Sequence, residues 1–139
     1  MSCKAAIYTA NQGVQALQIG SVLSLGSIIR RFGRNCNNTN ILDLNGNGIT
    51  ISEPGYYDVD ASITATAAAA GTVTVTLLRD GVAVPGAVAS ATAAAAGTVA
   101  LPITALVRQM CGNSGSTLTL VLGGTAATIN NVALKVIKL

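Results

Sequence analysis

The sequence predicts an all-β chain folded as a two-sheet sandwich of about ten short strands. Three observations carry this: a period-two alternation of apolar and polar residues, turn dipeptides between the alternating runs, and no window with a capped 3.6-residue apolar stripe. So many short strands are too many for one open sheet, and two packed sheets bury one face of each.

The longest alternating run is Tyr56 to Thr66. One face reads Tyr57, Val59, Ala61, Ile63, Ala65, and the other Tyr56, Asp58, Asp60, Ser62, Thr64, Thr66. Successive side chains of a strand point to opposite faces, so the first set is the core face. The pattern returns in Val73, Val75, Leu77; in Val99, Leu101, Ile103, Ala105, Val107; in Leu118, Leu120, Leu122; and in Val132, Leu134, Val136. Valine and threonine suit such surfaces because their branched side chains are already stiff.

Turn chemistry separates the runs. Asn45-Gly46 and Asn47-Gly48 divide Ile41–Leu44 from Ile49–Ile51, a hairpin signature. Pro54-Gly55 launches the long strand, and Asp80-Gly81 reverses the chain into Val82-Ala83-Val84. Pro85-Gly86 then falls inside a strand, which marks an edge or a bulge. The nine residues Ala65-Thr66-Ala67-Ala68-Ala69-Ala70-Gly71-Thr72-Val73 recur unchanged as Ala91–Val99. Two readings stand open: coincident low complexity at two loop tips, or two tips packed together at one end of the sandwich.

Half the residues are hydrophobic, but 9% are charged and 3% aromatic, where a soluble domain is roughly a quarter charged. With a mean hydropathy of +0.57, part of the exterior is expected to be covered by a partner, most simply by copies of the chain. The net charge of +3 is no nucleic-acid signature, and no nucleic-acid partner is expected. Arg30, Arg31 and Arg34 form the one basic cluster, read either as a solvated turn or as a docking point for an acidic protein surface. The charge-free stretches from Gly81 to Val107 and Cys111 to Leu134 are broken by glycine and proline, so no membrane span is expected. No signal peptide is expected either, because the first residues lack an apolar core.

Chemistry has few carriers. There is no histidine and one glutamate, so general acid–base catalysis lacks candidates. Neither an enzymatic activity nor a cofactor is expected. Asp58 and Asp60 share a polar face and are read as solvated carboxylates, with an ion pair to Arg79 or Arg108 as the other reading. Asp43, Asn45 and Asn47 begin like a calcium loop, but Glu53 falls one place short of the bidentate position, and a hairpin explains the same residues. Cys3, Cys36 and Cys111 show no metal-ligand spacing; free thiols and a Cys36–Cys111 bridge both remain open.

The stretch Ile49-Thr50-Ile51-Ser52-Glu53-Pro54-Gly55-Tyr56-Tyr57-Asp58-Val59, with Leu77–Gly86 and the final Asn131–Leu139, resembles the jelly rolls of the tumour-necrosis-factor-like and complement-globular-head superfamily. Its style is that of the small bacteriophage virion and spore-surface members. The resemblance implies a ten-stranded jelly roll forming a compact homotrimer, with Tyr57, Val59, Ile63, Leu118, Leu120, Val132, Leu134 and Val136 on its trimer and core strands. It implies a structural protein of a bacteriophage virion, a trimeric capsid decoration or head-fibre protein, assembled in the host cytoplasm and docked on a larger protein assembly such as the capsid. Residues 1–20 would be an N-terminal strand and anchor, and 21–139 the jelly-roll domain. The alternatives are a carbohydrate- or receptor-binding trimeric head and a bacterial spore-surface structural protein.

Overall fold

The computed structural model describes residues 4–35, 37–110 and 115–139. Eleven strands form among them: β1 (Ala5–Asn11), β2 (Gln15–Leu17), β3 (Ser27–Phe32), β4 (Leu42–Asn45), β5 (Gly48–Ile51), β6 (Gly55–Ala67), β7 (Gly71–Arg79), β8 (Val82–Ala93), β9 (Thr98–Gln109), β10 (Ser116–Gly123) and β11 (Ala127–Lys138). Sheet A has the order β3-β1-β11-β6-β9, with β2 also pairing with β11; sheet B has the order β4-β5-β10-β7-β8. Every pairing is antiparallel. This is the all-β jelly-roll sandwich, with one strand more than the expected ten. β3, whose residues are mostly exposed, carries no inward alternation to read.

The core lies between the sheets and follows the alternation. Tyr57, Val59, Ile63, Leu118, Leu120, Val132, Leu134 and Val136 are all fully buried. They face the interior of a single copy. β1 lies between β3 and β11 and buries Ala5 and Ile7, so much of the segment expected as an anchor is an interior strand. Thr9 also faces inward, completely buried, and its hydroxyl has no hydrogen-bond partner. An unsatisfied buried hydroxyl costs about 1–3 kcal/mol. Thr9→Val keeps the shape and removes that cost. It is expected to raise the urea midpoint by an amount worth about 1 kcal/mol with an unchanged m-value.

The repeated nine residues meet each other. Ala65 and Thr66 on β6 pair with Val99 and Thr98 on β9. Gly71, Thr72 and Val73 on β7 pair with Ala93, Thr92 and Ala91 on β8. Each position of one copy therefore opposes the mirror position of the other, a local pseudo-two-fold. Hydroxyl pairs mark it twice, Thr66 with Thr98 at 3.2 Å and Thr72 with Thr92 at 3.3 Å. Both loops cross from one sheet to the other at this end. Their backbones join where the Ala67 N–H donates to the Gly97 carbonyl at 3.0 Å and the Ala96 N–H donates to the Ala67 carbonyl at 2.9 Å. Small side chains permit this approach, and the packed-tip reading is the one the fold adopts. The symmetry breaks at the tips: Ala96 takes a positive φ of 61° and Ala70 does not.

Asp80-Gly81 turns β7 into β8, with φ of 51° and 83°, the paired positive values of a type I′ hairpin. Pro85-Gly86 sits in β8, an edge strand, beside a register shift between Thr76 and Leu78. The missing proline N–H thus removes no interior ladder bond.

Candidate functional site

The two outer faces differ in chemistry. On sheet B the outward residues are mainly hydroxylic, with Thr72, Thr74 and Thr76 on β7, Ser90 and Thr92 on β8, and Thr117 and Thr119 on β10; Leu78, Val88 and Val121 are the apolar members of the same face. Cross-strand hydroxyl pairs such as Thr74 with Ser90 at 2.9 Å satisfy part of this face internally. The outer face of sheet A instead carries large exposed apolar side chains.

Register places those side chains in rows. One row runs Phe32–Ala6–Ile137–Asp58–Leu106, and the next Arg30–Tyr8–Lys135–Asp60–Thr104. Phe32 and Leu106 are 61% and 60% exposed, and Tyr8 and Tyr56 lie open on the same face. Between Phe32 and Tyr8 is a cleft of about 230 Å³ lined by Ala6, Tyr8, Arg30, Phe32, Lys135 and Ile137. The adjoining β8 edge adds exposed Val82, which lines a cleft together with Leu106. Lone exposed apolar residues need no explanation, but a contiguous set marks an interaction surface.

Charges on this face are few and mostly answered. Lys135 Nζ lies 3.5 Å from Asp60, its cross-strand neighbour. The carboxylate of Asp60 thus has Lys135 beside it, where an ion pair to Arg79 or Arg108 is the other reading of the Asp58/Asp60 pair. Arg108 stands over the ring of its register partner Tyr56, 5.6 Å from the centroid. Arg79 comes from sheet B and is committed elsewhere: it donates to Ser116 Oγ at 3.1 Å, to Gln109 Oε1 at 2.8 Å and to the Arg108 carbonyl at 2.5 Å. That cluster ties β7 and β10 to β9, clamping the two sheets together at one end. At the same end Lys138, nearly buried, lies 3.7 Å from Glu53.

All three arginines of the basic cluster are exposed, on β3 and just after it. Arg30 and Arg31 lie on β3, and strand alternation sends them to opposite faces. Arg30 joins the cleft beside Tyr8; Arg31 reaches around the edge to pair with Asp43 on β4; Arg34 donates to Asn38 Oδ1 at 3.0 Å. Arg30 and Arg31 both line the cleft beside Tyr8 and Phe32. Asp43, Asn45 and Asn47 belong to the β4–β5 hairpin, and the Asp43 carboxylate is engaged by Arg31 and by the Leu44 N–H. No cluster of three or more metal-ligating side chains forms among the described residues. Cys3, Cys36 and Cys111 lie outside the described residues, as does the question of a Cys36–Cys111 bridge. Among the described residues no helix is long and apolar enough to cross a membrane.

Sequence reading missed Phe32, Ala6, Ile137 and Leu106 as surface residues. Leu106 could have been found, because it occupies an outward position between Thr104 and Arg108 where a polar residue is expected.

No family model matches the chain, and no curated protein matches its sequence. Solved structures match in fold. Murine APRIL at pH 5.0 superposes with a TM-score of 0.73 over 98% of this chain and 99% of that one, at 12% identity. The Eiger TNF of S. frugiperda gives 0.67 over 98% and 91%, at 12% identity. The globular domain of zebrafish complement 1qA gives 0.66 over 94% of each chain, at 9% identity. The architecture is therefore the jelly roll of tumour-necrosis-factor and complement C1q heads.

Proposed function

We propose that the chain is a non-catalytic structural protein that acts as a homotrimer, with sheet A as the face between copies. One observation carries this reading: Tyr8, Phe32, Tyr56 and Leu106 are exposed together on sheet A, while sheet B presents threonine and serine. A closed ring needs two different patches on each copy. The second is the β8 edge with Val82, next to Leu106 on β9. Burying this surface supplies the apolar contact area that composition says a lone copy leaves open. The resemblance to small virion members supports a place in a bacteriophage particle, as a capsid decoration or head fibre, with residues 1–20 contributing to the attachment. The hydroxyl-rich sheet B then faces outward.

Native mass spectrometry and sedimentation of the full chain test the assembly. The expected result is a trimer at micromolar concentration, and a monodisperse monomer sinks the reading. Copurification with intact phage particles, at a copy number divisible by three, tests the virion role separately.

A further inference from the structure

Asn45 and Asn47 are each followed by glycine, and both occupy the exposed tip of the β4–β5 hairpin. Glycine after asparagine leaves the next backbone nitrogen sterically open, so both bonds are susceptible to deamidation in an unfolded chain. The fold treats them differently. Gly46 lies in the turn, with φ of 62° and nothing within 4 Å of the place a Cβ would occupy. Its N–H takes part in no turn hydrogen bond. Gly48 is the first residue of β5 and pairs with Asn45, so its N–H is engaged in the bond that closes a two-residue turn. A Cβ at Gly48 would come within 2.5 Å of Thr117 Cγ2; that main chain is packed against β10.

We infer that Asn45 is a site of spontaneous deamidation in the native protein, and that the fold protects Asn47. The Gly46 nitrogen loses its proton to solvent base and attacks Asn45 Cγ. The bond from Cγ to the amide nitrogen breaks, ammonia departs, and a five-membered succinimide remains. Water then adds to either ring carbonyl, opening it to aspartate or to isoaspartate. The side-chain amide of Asn45 makes no hydrogen bond among the described residues to hold it back. By contrast, Asn11 Nδ2 donates to the Ser24 carbonyl at 3.1 Å and Asn130 Nδ2 to Thr66 Oγ1 at 2.8 Å.

The product changes the hairpin. A new carboxylate appears two residues from Asp43 on the same face of β4, near the Arg31 ion pair, and the net charge falls from +3 by one unit. The isoaspartyl form also adds a methylene to the main chain at the last residue of β4.

The test ages the full folded chain in mildly alkaline buffer and follows each site by peptide mass mapping, with isoaspartate-directed methylation as a second readout. Engaging the Gly48 N–H in one hydrogen bond is expected to slow Asn47 roughly tenfold relative to Asn45. In concentrated urea both sites are expected to convert at similar rates. Asn45→Gln is expected to abolish the native conversion, and Asn47→Gln to leave it intact. Equal native rates, faster conversion at Asn47, or no conversion at either site overturns the inference.

Discussion

Truncating Tyr57 to alanine is expected to cost about 3–5 kcal/mol of folding stability, the range for removing a buried aromatic side chain. Tyr57 is the largest fully buried side chain and stands on β6 between Val107 of β9 and Lys138 of β11. Its hydroxyl donates to the Glu53 carbonyl at 2.6 Å, holding the segment that leads into β6. Urea unfolding of the alanine variant measures the loss, which is a large share of the roughly 5–15 kcal/mol that holds an ordinary domain. Tyr57→Phe isolates the hydrogen bond and is expected to cost about 1 kcal/mol. Burial, with the Glu53 charge adding to it, pushes the phenol far above its ordinary range. The folded form then keeps its proton where the unfolded chain loses it, so stability falls as pH rises past about 10. The phenylalanine variant is expected to lose the part of the alkaline decline that Tyr57 causes.

Tyr57 also shows why much of the fold was legible. A half-buried strand writes its core face as every second residue, and Tyr56 to Thr66 does so without interruption. The repeat was equally visible as a string, but its internal symmetry was not. The mirror pairing of Thr66 with Thr98 and of Thr72 with Thr92 depends on which strands the tips connect. β3 left little trace, because an edge strand that buries almost nothing has no alternation to display. Buried polar groups were invisible for a different reason. Gln109 and Lys138 occupy inward positions because the end of the sandwich is closed by an Arg79–Ser116–Gln109 cluster and a Glu53–Lys138 pair. Composition reads such residues as exposed. The same limit applies to the surface: a charge-poor sequence says that some face is apolar, and only the register of β1, β3, β6, β9 and β11 says which.

That face yields the second large expectation. Leu106→Lys is expected to convert the proposed trimer to monomers while leaving the monomer folded. Leu106 is exposed in a single copy, so the substitution removes no core packing, and its register partner Asp58 offers the new ammonium a neighbour of opposite charge. In the assembly the same ammonium is enclosed among apolar groups from another copy. Taking the ammonium out of water costs several kcal/mol even beside Asp58, and about 2–5 kcal/mol is roughly 30- to 4,000-fold in the association constant for each contact. Three contacts carry the change in a trimer, so dissociation at micromolar concentration is the expected reading by sedimentation, with circular dichroism unchanged. Thr72→Lys is the matched comparison. It places the same charge on the outward face of β7, which the proposed assembly leaves open, and the trimer is expected to persist. If Thr72→Lys dissociates the protein and Leu106→Lys does not, the hydroxyl face of sheet B is the contact between copies, and the apolar face of sheet A is free for the particle.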